Sequence, residues 1–389
     1  MSLFETSQSP AGIRPKRYGE SIYAYYRDSE RASMVAIRNL FELWFAEIPQ
    51  SEQLDLQQRF RSPRERQHRS AVFEIFLHHL LIKSGFQVEF HPDMDGVTTH
   101  PDFLVTKEGS ESFYLEAIAV SNSFTEEAEI NRINQVYDTL NTLKSPDFYI
   151  SVRLKGAPVT SPAGAKLRRD IERWLTTLDW RSVQEIYQAN QFDKIPNFEW
   201  SHEGWNVIFE PIPKSENTRG TESIRAIGMT IPTQVRTLAL DEQLRDAVTG
   251  KDRYGKVKLP FVIAVQVIDE RRIEKYDVMN GLLGQETILI GSDQQTRTER
   301  ILNGAWLSHT GPKHTSISAV LAWSTLDPWK FAAIEPIMVH NPYAAAPLSK
   351  DALAISQCVV DKDKGALVHE HGVSIANILG LQTDWLPED

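Results

Sequence analysis

From Ser62 to Val120 the chain strings one buried helix and three short strands on short links, and this stretch constrains the fold more than any other. Ser62-Pro63-Arg64-Glu65 combines a capping hydroxyl, a proline suited to the first helical position and a glutamate able to reach back to the cap. Ala71 to Ile82 is apolar nearly all round, which predicts a buried helix, and Lys83-Ser84-Gly85 ends it with glycine as a left-handed cap. Strands are predicted over 86–91, 101–106 and 112–120, with the polar turn Lys107-Glu108-Gly109-Ser110 joining the last two. Side chains alternate along a strand, so Tyr114, Glu116, Ile118 and Val120 share one face, and Phe113, Leu115, Ala117 and Ala119 the other. Glu74 in the helix and Glu116 in the strand therefore lie among apolar neighbours. Such a carboxylate is costly unless a cation or hydrogen-bond donors meet it.

Glu74 on a helix, Pro101-Asp102 opening a strand, and Glu116 in the next strand after a tight hairpin form a pattern that resembles the PD-(D/E)xK, or restriction-endonuclease-like, nuclease superfamily. The resemblance implies an α/β fold of the α+β elaborated kind. A mixed β-sheet core is flanked by helices, and further α+β elements follow toward the C-terminus. It also implies that Asp102 and Glu116 bind Mg2+ or Mn2+, that Glu74 supports them, and that the reaction is hydrolysis of phosphodiester bonds. Hard oxygen ligands suit magnesium. Such a metal orients the phosphate, offsets its charge and lowers the pKa of an attacking water. DNA is the expected substrate, with RNA as the alternative, in bacterial restriction or phage defence. The expected assembly is a homodimer or a larger defence complex.

The chain departs from that family at one position. The family carries lysine two residues after the last glutamate, on the same strand face, and this chain has Ile118 there. If the amine has moved, Lys251 is the first candidate for a fourth catalytic residue. It follows a helix predicted over 235–248 and precedes the continuous apolar strand 259–267. The plainer reading is a basic helix end stabilised by the helix dipole. Arg64, Arg66 and Arg69 beside the Glu74 helix, with Arg253 and Lys256 after Lys251, are the candidate nucleic-acid contacts. A solvated charged face is the bland alternative. Pro92-Asp93 competes with Pro101-Asp102, but it is followed by turn residues rather than a hydrophobic strand, and a metal carboxylate belongs on a rigid element. His91 and His100 flank this region and read more simply as hydrogen-bonded turn residues.

A formal net charge of −10 weighs against broad nonspecific nucleic-acid coating, which depends on neutralising phosphates, while leaving room for a local basic groove. With no run of eighteen apolar residues and no leader pattern at the N-terminus, no membrane association is expected. Cys358 is the single cysteine, so no intrachain disulfide can form and a cytoplasmic home is expected. No Walker A pattern, nucleophile elbow or Cys/His metal cluster occurs, which leaves the carboxylates as the chemistry-bearing motif.

The expected organisation is a helical lead over 1–60, a nuclease-like core over 61–160, and an additional α/β region over 161–389. That last region either packs on the same sheet or forms a second lobe. One helix is predicted over 21–48. A helix over 126–143 between strands at 112–120 and 147–154 suggests a crossover joining a parallel pair. Two other functions fit the same residues. One is a catalytically inactive nuclease-fold protein that binds nucleic acid or a protein partner. The other is a structural subunit whose carboxylates merely pair with arginines such as Arg132 or Arg153.

Overall fold

The computed structural model describes all residues except 8–9, 94–99, 122–126, 222–224, 233–238, 253–257, 270, 291–294, 362–365, 383 and 389. Helices α1 (Ile22–Asp28), α2 (Ala32–Ala46), α3 (Gln50–Phe60) and α4 (Glu65–Lys83) lead into strands β1 (Gln87–Phe90), β2 (Phe103–Thr106) and β3 (Phe113–Ser121). Then come α5 (Glu127–Leu140), β4 (Phe148–Lys155), α6 (Gly164–Leu175), α7 (Trp180–Gln188), β5 (Phe198–His202), β6 (Trp205–Pro213) and β7 (Ile227–Pro232). The remainder holds α8 (Leu240–Thr249), β8 (Phe261–Ile268), α9 (Lys275–Leu283), β9 (Glu286–Ile290), β10 (Thr296–Arg300), β11 (Leu307–Ser308) and β12 (Gly311–Pro312). It closes with β13 (Ala319–Ser324), β14 (Ile337–His340), β15 (Gln357–Asp361), β16 (Ala366–Glu370) and α10 (Ile375–Leu379). The class is mixed α/β.

Two compact units are built from interleaved segments. The larger comprises Met1–Gly12, Ser21–Asn122 and Leu238–Asp389; the smaller comprises Ile13–Glu20 and Ser123–Thr237. The sequence suggested consecutive blocks instead. The difference arises because β3 pairs with β8, far along the chain, rather than with the strand that follows it.

In the larger unit an eight-stranded mixed sheet runs in the order β1-β2-β3-β8-β13-β14-β15-β16. β1, β2 and β3 form an antiparallel meander, and β3, β8 and β13 run parallel. β8 is buried along nearly its whole length and feeds both faces. Val262 and Ala264 join the core that contains α4, while Phe261, Ile263, Val265 and Val267 join the core that contains α8 and α9. A strand covered on both sides needs apolar residues at every position, which explains the unbroken run.

α4 is the central helix of the first core. Phe73 and Phe76 pack edge-on against Trp323, and Phe76 also meets Phe331 and Trp44. The helix starts two residues later than the capping pattern suggests. Ser62 Oγ accepts from the Arg64 amide at 3.1 Å and donates to Gln67 at 2.6 Å, so it caps a turn ahead of the helix. The C-terminus follows expectation: Gly85 has φ +84°, its amide donates to Ile82, and the Phe86 amide donates to Leu81. These are the two bonds of a Schellman ending, and the backbone sign they require favours glycine.

The helix predicted over 21–48 is two helices, because Ser29 and Arg31 adopt extended backbone between α1 and α2. Arg38 Nη1 donates to the carbonyls of Tyr26 and Ser29 at this break, satisfying groups that the end of α1 leaves open.

The smaller unit holds a four-stranded sheet in the order β5-β6-β4-β7. β4 pairs antiparallel with β6 and parallel with β7, so the expected parallel pair between β3 and β4 does not form. The crossover rule governs strands within one sheet, and these two strands belong to different sheets. Phe148, Ile150 and Val152 of β4 face a core completed by Leu167, Ile171, Trp205 and Phe209. Among the described residues, no helix is long and apolar enough to cross a membrane.

Candidate active site

The site lies in the larger unit where β2 stops pairing with β3. The last rungs of that ladder put Leu104 opposite Tyr114 and Phe103 opposite Leu115. Asp102 directly precedes the last rung, and continuing the same register by one step would set it across from Glu116. Directly opposed residues of an antiparallel pair point to the same side. Asp102 Oδ2 accepts the Ala117 amide at 2.6 Å, so the carboxylate takes the backbone donor that β2 no longer pairs. The backbone of Asp102 is held too, its carbonyl accepting from His91 N at 3.0 Å.

Glu116 is 3% exposed, in mid-strand. Phe113 and Leu115 point into the α4 core, whereas Tyr114, Ile118 and Val120 pack against the α8 core. Glu116 therefore lies on the α8 side. α8 packs over β3 and β8, and immediately after it Lys251 Nζ donates to Glu116 Oε1 in an ion pair. Lys251 thus brings an amine to the glutamate from just beyond the end of α8. Ile118, two residues after Glu116 on β3, is part of the packing under α8.

Glu74 on α4 is gripped by Arg59 of α3, with Nη1 to Oε1 at 2.5 Å and Nη2 to Oε2 at 2.7 Å, and Ser70 Oγ adds a contact at 3.3 Å. This is the forked geometry in which guanidinium best matches carboxylate. Arg59 also holds Asp55 at 2.7 Å.

Asp102 carries the electrostatic signature of the cluster. Its carboxyl is pushed up to about 7, first by burial and then by the negative charges of Glu116 and Glu74. The Ala117 hydrogen bond and the Lys251 charge act the other way and are outweighed. Glu116 pairs with Lys251 and Glu74 with Arg59, and at Asp102 the negative charges of the two glutamates still outweigh the Lys251 charge. A group pushed this way by burial and like charges in one cluster marks a candidate functional site.

Among the described residues, no three His, Cys, Asp or Glu side chains are gathered closely enough to cage a metal by themselves. Asp102 and Glu116 fit a divalent ion in the other common manner, in which one or two carboxylates hold a magnesium that keeps several waters. Hard oxygen donors are what such an ion requires.

The candidate nucleic-acid contacts divide. Arg64 and Arg66 are exposed at the start of α4. Arg69 is tied to Glu65 at 2.7 Å and Asp327 at 3.3 Å, which makes it an internal brace rather than a free phosphate contact. Arg253 and Lys256 lie outside the described residues. His100 Nδ1 meets the Pro92 carbonyl at 3.0 Å, a local partner, whereas His91 lies 3.7 Å from Glu52 of α3. Asp93 is fully exposed, whereas Asp102 is fixed at a strand end. Arg132 donates to the Pro158 carbonyl and Arg153 pairs with Glu210, both within the smaller unit.

Arg59 as the partner of Glu74 was not legible from sequence. It lies in a basic run, where charge alone does not say which arginine turns inward. The bidentate bond was set by how α3 packs on α4. No protein-family model matches the chain, and neither a curated protein nor a solved structure matches it significantly.

Proposed function

We propose that Glu74, Asp102, Glu116 and Lys251 form a metal-dependent phosphodiesterase centre of restriction-endonuclease-like type, acting on DNA, with RNA as the alternative substrate. The observation that carries this reading is the Lys251–Glu116 ion pair next to Asp102, whose carboxylate accepts the Ala117 amide and feels the charges of both groups. It supplies an amine at the carboxylate pair although position 118 is isoleucine. The order α4-β1-β2-β3, with a buried glutamate on the helix and acids at the end of β2 and the centre of β3, supports the same fold family.

Asp102 and Glu116 would hold Mg2+ or Mn2+, which would supply charge neutralisation at phosphate and an acidified water. Lys251 keeps a positive charge at the carboxylate pair, where it can stabilise negative charge developing on the phosphoryl oxygens. Glu74, fixed by Arg59, adds negative potential that favours cation capture at Asp102. Arg64 and Arg66 present positive charge to solvent at the start of the same helix, suited to contacting a phosphate backbone.

The test is cleavage of supercoiled plasmid and of single-stranded RNA by the full chain with Mg2+ or Mn2+. Asp102→Asn, Glu116→Gln and Lys251→Met are the variants to compare. Cleavage that requires metal and drops at least a hundredfold in each variant is expected; cleavage unaffected by Asp102→Asn would sink the assignment.

A second reading is a binding protein with a silent site. It is favoured by the existing ion pairs, since Glu116 and Glu74 already have cationic partners. Metal-independent DNA retention with no cleavage in any metal would select it.

A further inference from the structure

Lys251 lies beyond the end of α8, outside the helix itself. The local backbone makes only a loose turn, with Lys251 N donating to Val248 at 3.2 Å and Asp252 N to Thr249 at 3.3 Å. The next residue provides the anchor. His314 Nδ1 lies 2.7 Å from Asp252 Oδ2, and Ser316 Oγ donates to Asp252 Oδ1.

Both partners sit on a loop that is itself fixed. The buried Asn341 side chain donates to the carbonyls of Ile317 at 2.8 Å and His314 at 3.3 Å, and the Ala345 amide donates to Thr315 at 2.7 Å. Ser318 N then joins Phe261 O at 2.7 Å, locking the loop to the start of β8. His314 holds a left-handed backbone, φ +48°, which is uncommon for a side-chain-bearing residue outside turns and is maintained only where surrounding contacts enforce it. That conformation accompanies an imidazole placed on Asp252.

We propose that Asp252 is a positioning residue: clamped by His314 and Ser316, it ties the segment after α8 to the loop before β13, so that its neighbour Lys251 keeps its ammonium on Glu116. The proposal rests on the reading of Lys251 as the site's amine, and it makes His314 and Ser316 part of the supporting shell. Catalytic groups need such support, because a loosely held side chain loses much of its effect.

The experiment is amine acylation of the full-length protein with acetic anhydride, followed by peptide mass spectrometry. Lys107, whose amine is bound to the Ser84 carbonyl, serves as an internal control for folding. In the natural protein Lys251 should be acylated slowly. Asp252→Ala should raise its rate at least tenfold with Lys107 unchanged. His314→Ala should act in the same direction, and His314→Asn, whose amide nitrogen takes the place of Nδ1 and can donate to Asp252, should restore most of the protection. If Asp252→Ala disrupts the fold, the His314 pair and Ser316→Ala carry the same test. Unchanged Lys251 acylation in these variants overturns the proposal.

Cleavage assays separate this from the nuclease reading. A clamp acting through Lys251 lowers kcat in Asp252→Ala with little change in KM. If the natural protein never cleaves but Lys251 is deprotected as described, the clamp stands and the nuclease reading falls. If cleavage occurs and Asp252→Ala alters neither kcat nor protection, the clamp falls alone.

Discussion

Lys251 and Glu116, 135 residues apart in the chain, form an ion pair in which the glutamate is almost wholly buried. α8 lies across β3 and β8, and this brings the amine to the carboxylate. The pair matters for stability whatever the site does, because a buried charge that loses its partner is strongly unfavourable.

Lys251→Met is accordingly predicted to destabilise the protein by about 1–3 kcal/mol, since the ammonium is partly exposed and water can compensate in part. Lys251→Met combined with Glu116→Gln should recover much of that loss. Urea unfolding of the two single variants and the double variant measures the coupling. A double variant showing the simple sum of the two losses would refute the pairing.

Asp102 gives a pH prediction. Its carboxyl is pushed up from the ordinary value of 3.8 to about 7, so the folded protein holds that proton more tightly than the unfolded chain. Stability from this group is therefore present at low pH and is lost as pH rises through the interval from 3.8 to about 7. Asp102→Asn keeps an oxygen to accept the Ala117 amide and removes the charge. It should stabilise the metal-free protein by roughly 1–3 kcal/mol at pH 8 and by much less at pH 5. Equal gains at both pH values would argue against the shift.

Metal binding should show the opposite preference. The proton on Asp102 must leave before the carboxylate can serve as a ligand, so Mg2+ or Mn2+ should bind more tightly at pH 8 than at pH 6. At a metal concentration a hundredfold above Kd, the folded state gains about 2.7 kcal/mol. Thermal unfolding with added Mn2+ should show a rise in Tm, reversed by chelator and absent in Asp102→Asn. A rise of the same size in that variant would place the metal elsewhere.

The Arg59–Glu74 fork joins α3 to α4 at a nearly buried carboxylate. Arg59→Met leaves Glu74 without its cation and is predicted to cost about 3–5 kcal/mol. Glu74→Gln, which keeps part of the hydrogen bonding, should cost less. Chemical denaturation of both variants tests the order, and an Arg59→Met variant as stable as the natural protein would contradict it.

Phe76 of α4 packs against Trp323, Phe331 and Trp44 with no exposed surface. Phe76→Ala should therefore cost about 3–5 kcal/mol through lost burial and the cavity left behind. A loss below 1 kcal/mol on denaturation would mean that this core is not the one holding the sheet.

Amino-acid sequence alone determined the local grammar around the site. The buried helix ending at Gly85, the three strands with the tight turn between β2 and β3, and the inward carboxylates Glu74 and Glu116 follow from periodicities of 3.6 and 2 residues and from turn chemistry, all of which act over a few positions. Tertiary structure decided that β3 takes β8 rather than β4 as its parallel neighbour, that Arg59 grips Glu74, and that Lys251 meets Glu116 while Asp252 is held by His314 and Ser316. Those relationships join residues on separate elements. They depend on which strands share a sheet and how helices lie across it, and no short-range pattern carries that information.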